Sequence, residues 1–449
     1  MAKKKQLFEC QACGFQNAKW MGKCPNCGSW DEFLELSQEQ INVLKEVSKS
    51  PINASQAKSI TEIEIETVER YSSGDEELDL VMGGGVVPGG LTLIGGSPGV
   101  GKSTLLLKIA GNLAQQGKKV LYVSGEESAG QIKMRSDRLE STHKELYLLS
   151  EIRLDVILSE LLRTTYDVLI VDSIQTLYSE KLTAAPGSVS QVREITFELM
   201  RHGKEHQLAI FIIGHITKEG SIAGPRILEH MVDTVLYFEG DSNRELRLLR
   251  GFKNRFGSTS EVGIFEMTKK GLMSAKDISK KFFTRGSPQA GSAITVVMEG
   301  SRPLVLEVQA LVSESGYPNP KRSATGYELN RLTMLLALLE RKLDLPFNQY
   351  DVFINIAGGI KVSETAADLA IIAAIISSFR NRPISKDTVF IGEVSLIGDI
   401  RDIFNLDQRL KEAKTQQFTK AIVPSKPLES VTGIKCFEVE EVSKLIEWM

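Results

Sequence analysis

The chain has 449 residues, too many for one ordinary domain, so two or three are expected. Its 42% hydrophobic and 25% charged residues describe a soluble globular protein, and a net charge of −3 excludes a global basic signature for nucleic acid while leaving room for a local basic surface. The longest nearly apolar run, Leu369 to Ile376, is too short to span a bilayer. No apolar segment follows the N-terminal Met-Ala-Lys-Lys-Lys-Gln, so no signal peptide is expected and the cytoplasm is the default location.

Four of the five cysteines fall within the first 27 residues. Cys10-x-x-Cys13 and Cys24-x-x-Cys27 form two chelating pairs, with Gly14 and Gly28 placed after them to permit the backbone bend. Four thiolates satisfy tetrahedral Zn²⁺ and leave no open position, so the site is structural. So short a segment needs the metal's binding energy to fold. Five lysines against Glu9 make residues 1–30 basic, and Phe15, Trp20 and Trp30 lie among the ligands. These aromatics are expected to pack the knot rather than to contact nucleic acid or a partner. Residues 1–36 are thus a zinc finger, and the polar stretch 37–58 reads as a linker.

From 59 to 284, apolar strands alternate with helical stretches, the signature of a parallel α/β sheet. The strand Leu91–Ile94 runs into Gly96-Ser97-Pro98-Gly99-Val100-Gly101-Lys102-Ser103, followed by Thr104 and a helix to Gln115. This fits the phosphate-loop pattern G-x-x-x-x-G-K-[ST]. Glycines let the backbone wrap a triphosphate, Lys102 would reach the β- and γ-phosphates, and Ser103 would ligate Mg²⁺. Further strands end at Ser124-Gly125-Glu126-Glu127, at Asp172 and at His215. Strand ends of this kind gather at the ligand edge of an open α/β sheet. Asp172 would hold Mg²⁺, and Glu126 or Glu127 would polarise the attacking water. His215 reads equally as a γ-phosphate sensor or as a polar strand end. No guanine-reading motif occurs, so ATP is expected over GTP. Loops 179–190 and 218–226 look suited to a partner, and Lys253-Asn254-Arg255-Phe256-Gly257 by itself reads as a solvated turn.

From 285 to 449 a second α/β region carries strands near Ala293–Met298, Leu304–Val312 and Asp351–Ile356. Helices fall near Glu328–Leu343 and Glu364–Ser377, and a strand pair near Gly392–Gly398. This region resembles the peptidase domain of Lon proteases, which use a Ser–Lys dyad. The resemblance puts Ala366 at the serine position and Asp407 at the lysine position, so no activated nucleophile remains. Ser363 and Lys411 stand near these positions without filling them. A ring-forming scaffold is the better reading, with Arg302, Lys321, Arg322 and Arg331 as possible DNA contacts. Cys436 reads as a plain thiol.

The cysteine knot, Gly-Gly-Ser-Pro-Gly-Val-Gly-Lys-Ser-Thr, Ser-Gly-Glu-Glu-Ser, Gly-His-Ile-Thr-Lys, Lys-Asn-Arg-Phe-Gly and the C-terminal region occur here in one order. In that order the whole chain resembles the bacterial RadA (Sms) family, relatives of the RecA recombinase. The resemblance implies a RecA-like P-loop ATPase between a zinc finger and an inactive Lon-peptidase-like domain. It implies a DNA-dependent ATPase in recombination and repair, a homo-hexameric ring on single-stranded and branched DNA, branch migration, and RecA as partner. It also implies that Lys253 and Arg255 reach the ATP of a neighbouring subunit. Loops 179–190 and 218–226 become DNA-facing, with Lys181, Lys218 and Arg226 on phosphates. A Lon-type ATP-dependent protease, a strand-exchanging filament and a signalling ATPase are the competing readings.

Overall fold

A computed structural model describes residues 8–10, 15–26, 28, 30, 33–35, 69–215, 227–240, 246–268, 271–275, 282–427 and 431–446. Cys13, Cys27, Gly14, the linker 37–58, Lys218, Arg226 and the side chain of His215 lie outside the described residues. Contacts divide the chain into two units, Met1–Ser274 and Ala275–Met449. No helix among the described residues is long and apolar enough to cross a membrane.

At the N-terminus, β1 (Phe8–Cys10), β2 (Gln16–Asn17) and β3 (Phe33–Glu35) form a small antiparallel sheet in the order β2-β1-β3. Cys10 and Cys24 are buried together against Phe33. Gly28 takes a φ of 78°, the left-handed bend expected after the second cysteine pair. Phe15 packs edge-on against Phe33 at 6.4 Å, as the sequence suggests. The tryptophans depart from that expectation, since Trp20 is 53% and Trp30 is 68% exposed. Strands of two or three residues offer no face broad enough to cover an indole. Trp20 instead donates its Nε1–H to the Phe33 carbonyl (3.1 Å), and the Lys23 ammonium sits 5.3 Å from the Trp30 ring centre.

The ATPase region begins with α1 (Glu76–Met82), β4 (Leu91–Gly96), α2 (Lys102–Gln115), β5 (Val120–Ser124), α3 (Ala129–Arg138) and β6 (Leu146–Ser150). Then come α4 (Leu154–Arg163), β7 (Val168–Asp172), α5 (Val189–His206), β8 (Ala209–His215) and α6 (Ile227–Met231). It closes with β9 (Thr234–Glu239), β10 (Leu246–Asn254), β11 (Val262–Thr268) and β12 (Gly271–Ser274). All nine of these strands join one sheet, β12-β11-β10-β9-β4-β8-β7-β5-β6. Strands β4 to β9 are parallel, and β9 to β12 form antiparallel hairpins.

Alternate residues of the parallel strands enter two cores, one on each face. Ile94, Tyr122, Ile170 and Phe211 pack with Leu105, Ile109 and Leu113 of α2. Leu93, Val123, Val171 and Ile212 pack with Ile157 of α4 and Ile195 and Leu199 of α5. Helices on both faces explain why these strands read as unbroken apolar runs. The central strand β4 lies between β8 and β9, whereas the chain leaving it next enters the sheet at β5, beyond β7. Such a crossing point is where an open α/β sheet binds its ligand.

The second unit contains β13 (Ser292–Glu299), β14 (Arg302–Glu314), β15 (Arg322–Thr325), α7 (Leu329–Leu343), β16 (Tyr350–Ile356) and α8 (Asp368–Arg380). It continues with β17 (Thr388–Phe390), β18 (Glu393–Val394), β19 (Ile400–Arg401), α9 (Leu406–Thr415), β20 (Lys420–Val423), β21 (Lys435–Glu438) and α10 (Val442–Leu445). Its main sheet is mixed, in the order β15-β16-β14-β13-β17-β20-β21. Helix α8 is buried from Asp368 to Ser377, as its nearly all-apolar sequence requires. The expected strand pair near 392–398 is the hairpin β18–β19, whose return strand falls after Gly398.

Candidate nucleotide-binding site

The phosphate loop leaves β4 at its carboxyl end and turns into α2. Gly101 caps that helix at a φ of 118°, and a Cβ there would meet Leu272 Cδ1 at 2.8 Å. Only glycine suits both the angle and the space. Ser97, Pro98 and Gly99 are exposed at the loop tip, while Val100 is buried. The Val100 carbonyl accepts from Nε of Arg247, a buried side chain on β10 that fixes the loop from behind (3.1 Å). Lys102 through Thr104 open the first turn of α2, where amides have no intrahelical acceptor and favour an anion.

Lys102 is buried and donates its Nζ protons to the Gly96 carbonyl (2.7 Å) and the Ser97 carbonyl (3.1 Å). Burial lowers its pKa, and the carboxylates of Asp172 and Glu126 pull it back up. The sequence-predicted cation and acids therefore share one site. Asp172 ends β7 with its Oδ2 accepting from the Tyr122 hydroxyl (2.6 Å). Burial raises the Asp172 pKa, hydrogen bonds from Tyr122 and Ser103 oppose this, and Glu126 and Glu127 add to the rise. Ser103 and Asp172 are thus brought together, as a shared magnesium ion requires. A hard-oxygen pair of this kind, beside a phosphate loop, fits Mg²⁺.

The two candidate glutamates separate in the structure. Ser173 donates its hydroxyl to Glu126 Oε1 (2.5 Å), and Glu126 lies within electrostatic reach of Lys102. Glu127 Oε1 accepts from Arg135 Nη2 of α3 (2.5 Å), leaving its buried Oε2 without a hydrogen bond. A capping box between Ser128 and Gln131 starts α3 immediately after this acidic pair. Gly125 permits the close turn, because a Cβ there would fall 2.2 Å from Thr176 Oγ1. The backbone of His215 lies in register with Gly96, so it too reaches this edge.

Lys253 and Arg255 sit elsewhere. Lys253 and Asn254 belong to β10 itself rather than to the following turn. Asn254 pairs with Thr234, and Thr234 with Thr92 near the start of β4, whereas the phosphate loop begins at Gly96. Four strand residues separate these levels by about 13 Å. The Lys253 ammonium points farther from the loop still, donating to the carbonyls of Glu229 (2.8 Å), His230 (3.1 Å) and Val232 (2.7 Å). Arg255 contacts Asp233 Oδ1 at 3.4 Å, and Asp233 Oδ2 accepts from the Leu91 amide at 3.1 Å. These cations occupy the amino edge of the sheet, opposite their own phosphate loop.

Of the possible DNA contacts, Lys181 pairs with Glu198 at 3.0 Å. Its loop is pinned by buried Gln191, which bonds Ser179, Leu182 and Ala184. Arg322 is tied to the carbonyls of Tyr350 and Phe347, so it serves the fold rather than a free surface. Arg331 clamps the fully buried Asp368 together with the Tyr327 hydroxyl and the Val394 amide. Ala366, at the expected peptidase-serine position, is a buried methyl just before α8. Nearby, Arg409 holds Glu364 through two bonds of 2.6 and 2.7 Å.

Tyr122, Ser173, Arg135 and Arg247 went unread in the sequence. One signal existed for Tyr122: a buried phenol must find a partner, and its strand ends at an acidic pair. The others are supplied by neighbouring elements and carry no local pattern.

The fold and the site define a P-loop ATPase with an N-terminal zinc ribbon and a second, C-terminal α/β domain. The chain is 69% identical to DNA repair protein RadA of Campylobacter jejuni over the full length of both, and 60% identical to that of Helicobacter pylori, again over both full lengths. DNA repair protein RadA of Bacillus subtilis is 47% identical, across all of this chain and 98% of its own. The chain belongs to the DNA repair protein RadA family. Family models agree by region: an AAA domain at residues 57–221, a rubredoxin metal binding domain at 8–35, and subunit ChlI of Mg-chelatase at 334–427. A crystal structure of the RadB recombinase aligns with 46% of this chain and 99% of its own, at 22% identity and a TM-score of 0.37.

Proposed function

We propose that the chain is a DNA-dependent ATPase acting as a homo-hexameric ring on single-stranded and branched DNA. The ring translocates, drives branch migration of recombination intermediates, and works beside the RecA recombinase. The observation that carries this reading is the placement of Lys253 and Arg255 at the edge opposite their own phosphate loop. They are too far away to serve their own triphosphate. A head-to-tail neighbour presents its loop to them, and such an interface makes a ring when the rotation between subunits closes, the form proposed here over an open filament.

Each residue then has a task. The loop amides and Lys102 bind the phosphates, and Ser103 and Asp172 would hold Mg²⁺, which when bound neutralises charge on the transferring phosphoryl group. Tyr122 occupies one Asp172 oxygen and orients the other. Glu126 orients the attacking water, with Ser173 fixing its carboxylate. Glu127, held by Arg135, supports the site without facing the phosphates. His215 senses the γ-phosphate. Lys253 and Arg255 complete the neighbour's site. Loops 179–190 and 218–226 meet the DNA backbone through Lys181, Lys218 and Arg226, which makes binding sensitive to salt. Lys181 must exchange Glu198 for a phosphate to do so. Cys10, Cys13, Cys24 and Cys27 hold the structural zinc, a fit supported by the shared burial of Cys10 and Cys24.

The protease reading gains no support from the second unit, where a buried alanine and two ion-pair clusters fill the region of the dyad. The test of function is strand displacement and three-strand branch migration, with and without RecA. Wild type should perform both and Lys102→Ala neither. ATP-driven casein degradation, lost in Ser363→Ala, would overturn the reading.

A further inference from the structure

The Val100–Gly101 peptide links the buried end of the phosphate loop to α2. It is trans, so its carbonyl and its N–H point in opposite directions. The carbonyl faces β10, where the Nε–H of Arg247 donates to it at 3.1 Å. The Gly101 N–H therefore faces the other way, beside the first-turn amides of α2 that lack an intrahelical acceptor. A flip of this peptide would reverse both groups. Gly101, at a φ of 118°, opposes a flip only weakly, because glycine tolerates either sign of φ. The flipped form would set a carbonyl oxygen against a phosphate oxygen, so a phosphate cradle needs something to hold the peptide.

Arg247 is placed to hold it. The side chain is buried, and its Nη1–H donates to the Leu246 carbonyl at 2.9 Å, which fixes the guanidinium. Gly240, just after β9, leaves room for its stem, since a Cβ there would fall 2.3 Å from Arg247 Cδ. The wall against Gly101 is apolar: a Cβ at that position would meet Leu272 at 2.8 Å, Met267 at 3.2 Å and Phe238 at 3.4 Å. In surroundings of low dielectric a hydrogen bond from a charged donor is strong, and its loss leaves a buried carbonyl poorly satisfied.

We propose that Arg247 is a positioning residue for nucleotide binding: by holding the Val100 carbonyl it keeps the Gly101 N–H turned toward the β-phosphate. It thereby sets affinity for nucleoside diphosphates and triphosphates alike. This rests on the phosphate-loop reading of Gly96–Ser103 and on nothing in the ring or DNA readings.

Titration of full-length protein with fluorescent ADP and a fluorescent non-hydrolysable ATP analogue, each with Mg²⁺, tests this. Arg247→Met puts a methyl carbon where Nε stands and cannot donate. Arg247→Gln puts an amide nitrogen at the same position, so it keeps the donor and drops the charge. Arg247→Met should weaken both nucleotides by about tenfold, the scale of losing one charge-assisted hydrogen bond. Its KM for ATP should rise in step while kcat at saturation stays within about twofold, the mark of lost uniform binding. Arg247→Gln should bind within about threefold of wild type, because the donor remains. Gly240→Ala displaces the Arg247 stem without removing it and should reproduce the loss, which covers the case of a Met variant that fails to fold. Wild-type affinity in Arg247→Met or in Gly240→Ala would overturn the proposal. So would a Gln variant as weak as the Met variant, which would assign the effect to charge, or a loss confined to the ATP analogue. A wild type that bound neither nucleotide would overturn the phosphate-loop reading itself.

Discussion

Mixing two inactive variants gives the sharpest measure of the composite site. Lys102→Ala removes the cation on the phosphates but leaves Lys253 and Arg255 intact at the opposite edge. Lys253→Ala does the reverse, and should lower hydrolysis by about 10³, the smaller effect expected of a cation supplied in trans. The two edges lie about 13 Å apart in one subunit, so no subunit can repair itself. In an equal, random mixture a site works only if its own subunit carries Lys102 and its neighbour carries Lys253. Each condition holds half the time, so about one quarter of wild-type activity returns, whatever the ring size. The assay is steady-state ATP hydrolysis with DNA across mixing ratios, after subunits have exchanged. Activity should peak at equal amounts and vanish at both ends. A curve that never rises above the line joining the two parents refutes the shared site.

Glu126→Gln should cut hydrolysis by about 10² to 10⁴ while ATP still binds, whereas Glu127→Gln, whose parent side chain is turned to Arg135, should lose less than about tenfold; single-turnover rates beside nucleotide binding separate them. Arg331→Met strands the buried Asp368 carboxylate, still bonded to Tyr327 and Val394. It should cost about 3 kcal/mol, lowering the melting temperature of the second unit by about 6–12 °C in calorimetry. Adding Asp368→Asn should recover part of that loss. Cys10→Ser should abolish stoichiometric zinc and shift tryptophan emission as the Trp20–Phe33 bond is lost, with fluorescent-ATP binding unchanged; full zinc content would refute the ligand set.

The parts of this site that follow from chain continuity were legible. The phosphate loop, Asp172 and the acidic pair each end an apolar strand, and a parallel sheet brings strand ends to one edge. The helix placed at Glu364–Ser377 begins at Asp368, because a short 3₁₀ turn over Thr365–Ala367 precedes it. Side chains that act across the sheet were not legible. Arg247 reaches the phosphate loop from a strand 147 residues away in sequence. Arg331 looked like a free surface cation until α8 supplied Asp368. Lys253 needed the register of β9 and β10 to show which edge it occupies, and sequence proximity to a strand end gave no such direction.

The clasp between Asp233 and the Leu91 amide has a genetic consequence. Strand β4 is fastened at that end and opens into the phosphate loop at the other, so in the proposed ring each copy would contribute to two adjacent reaction centres. There, a copy altered only at Lys102 would spoil one centre, and a copy altered at both Lys102 and Lys253 would spoil two. In a cell that makes normal and altered copies together, the double allele should therefore be the more dominant, with its severity set by gene dosage rather than by either lesion alone.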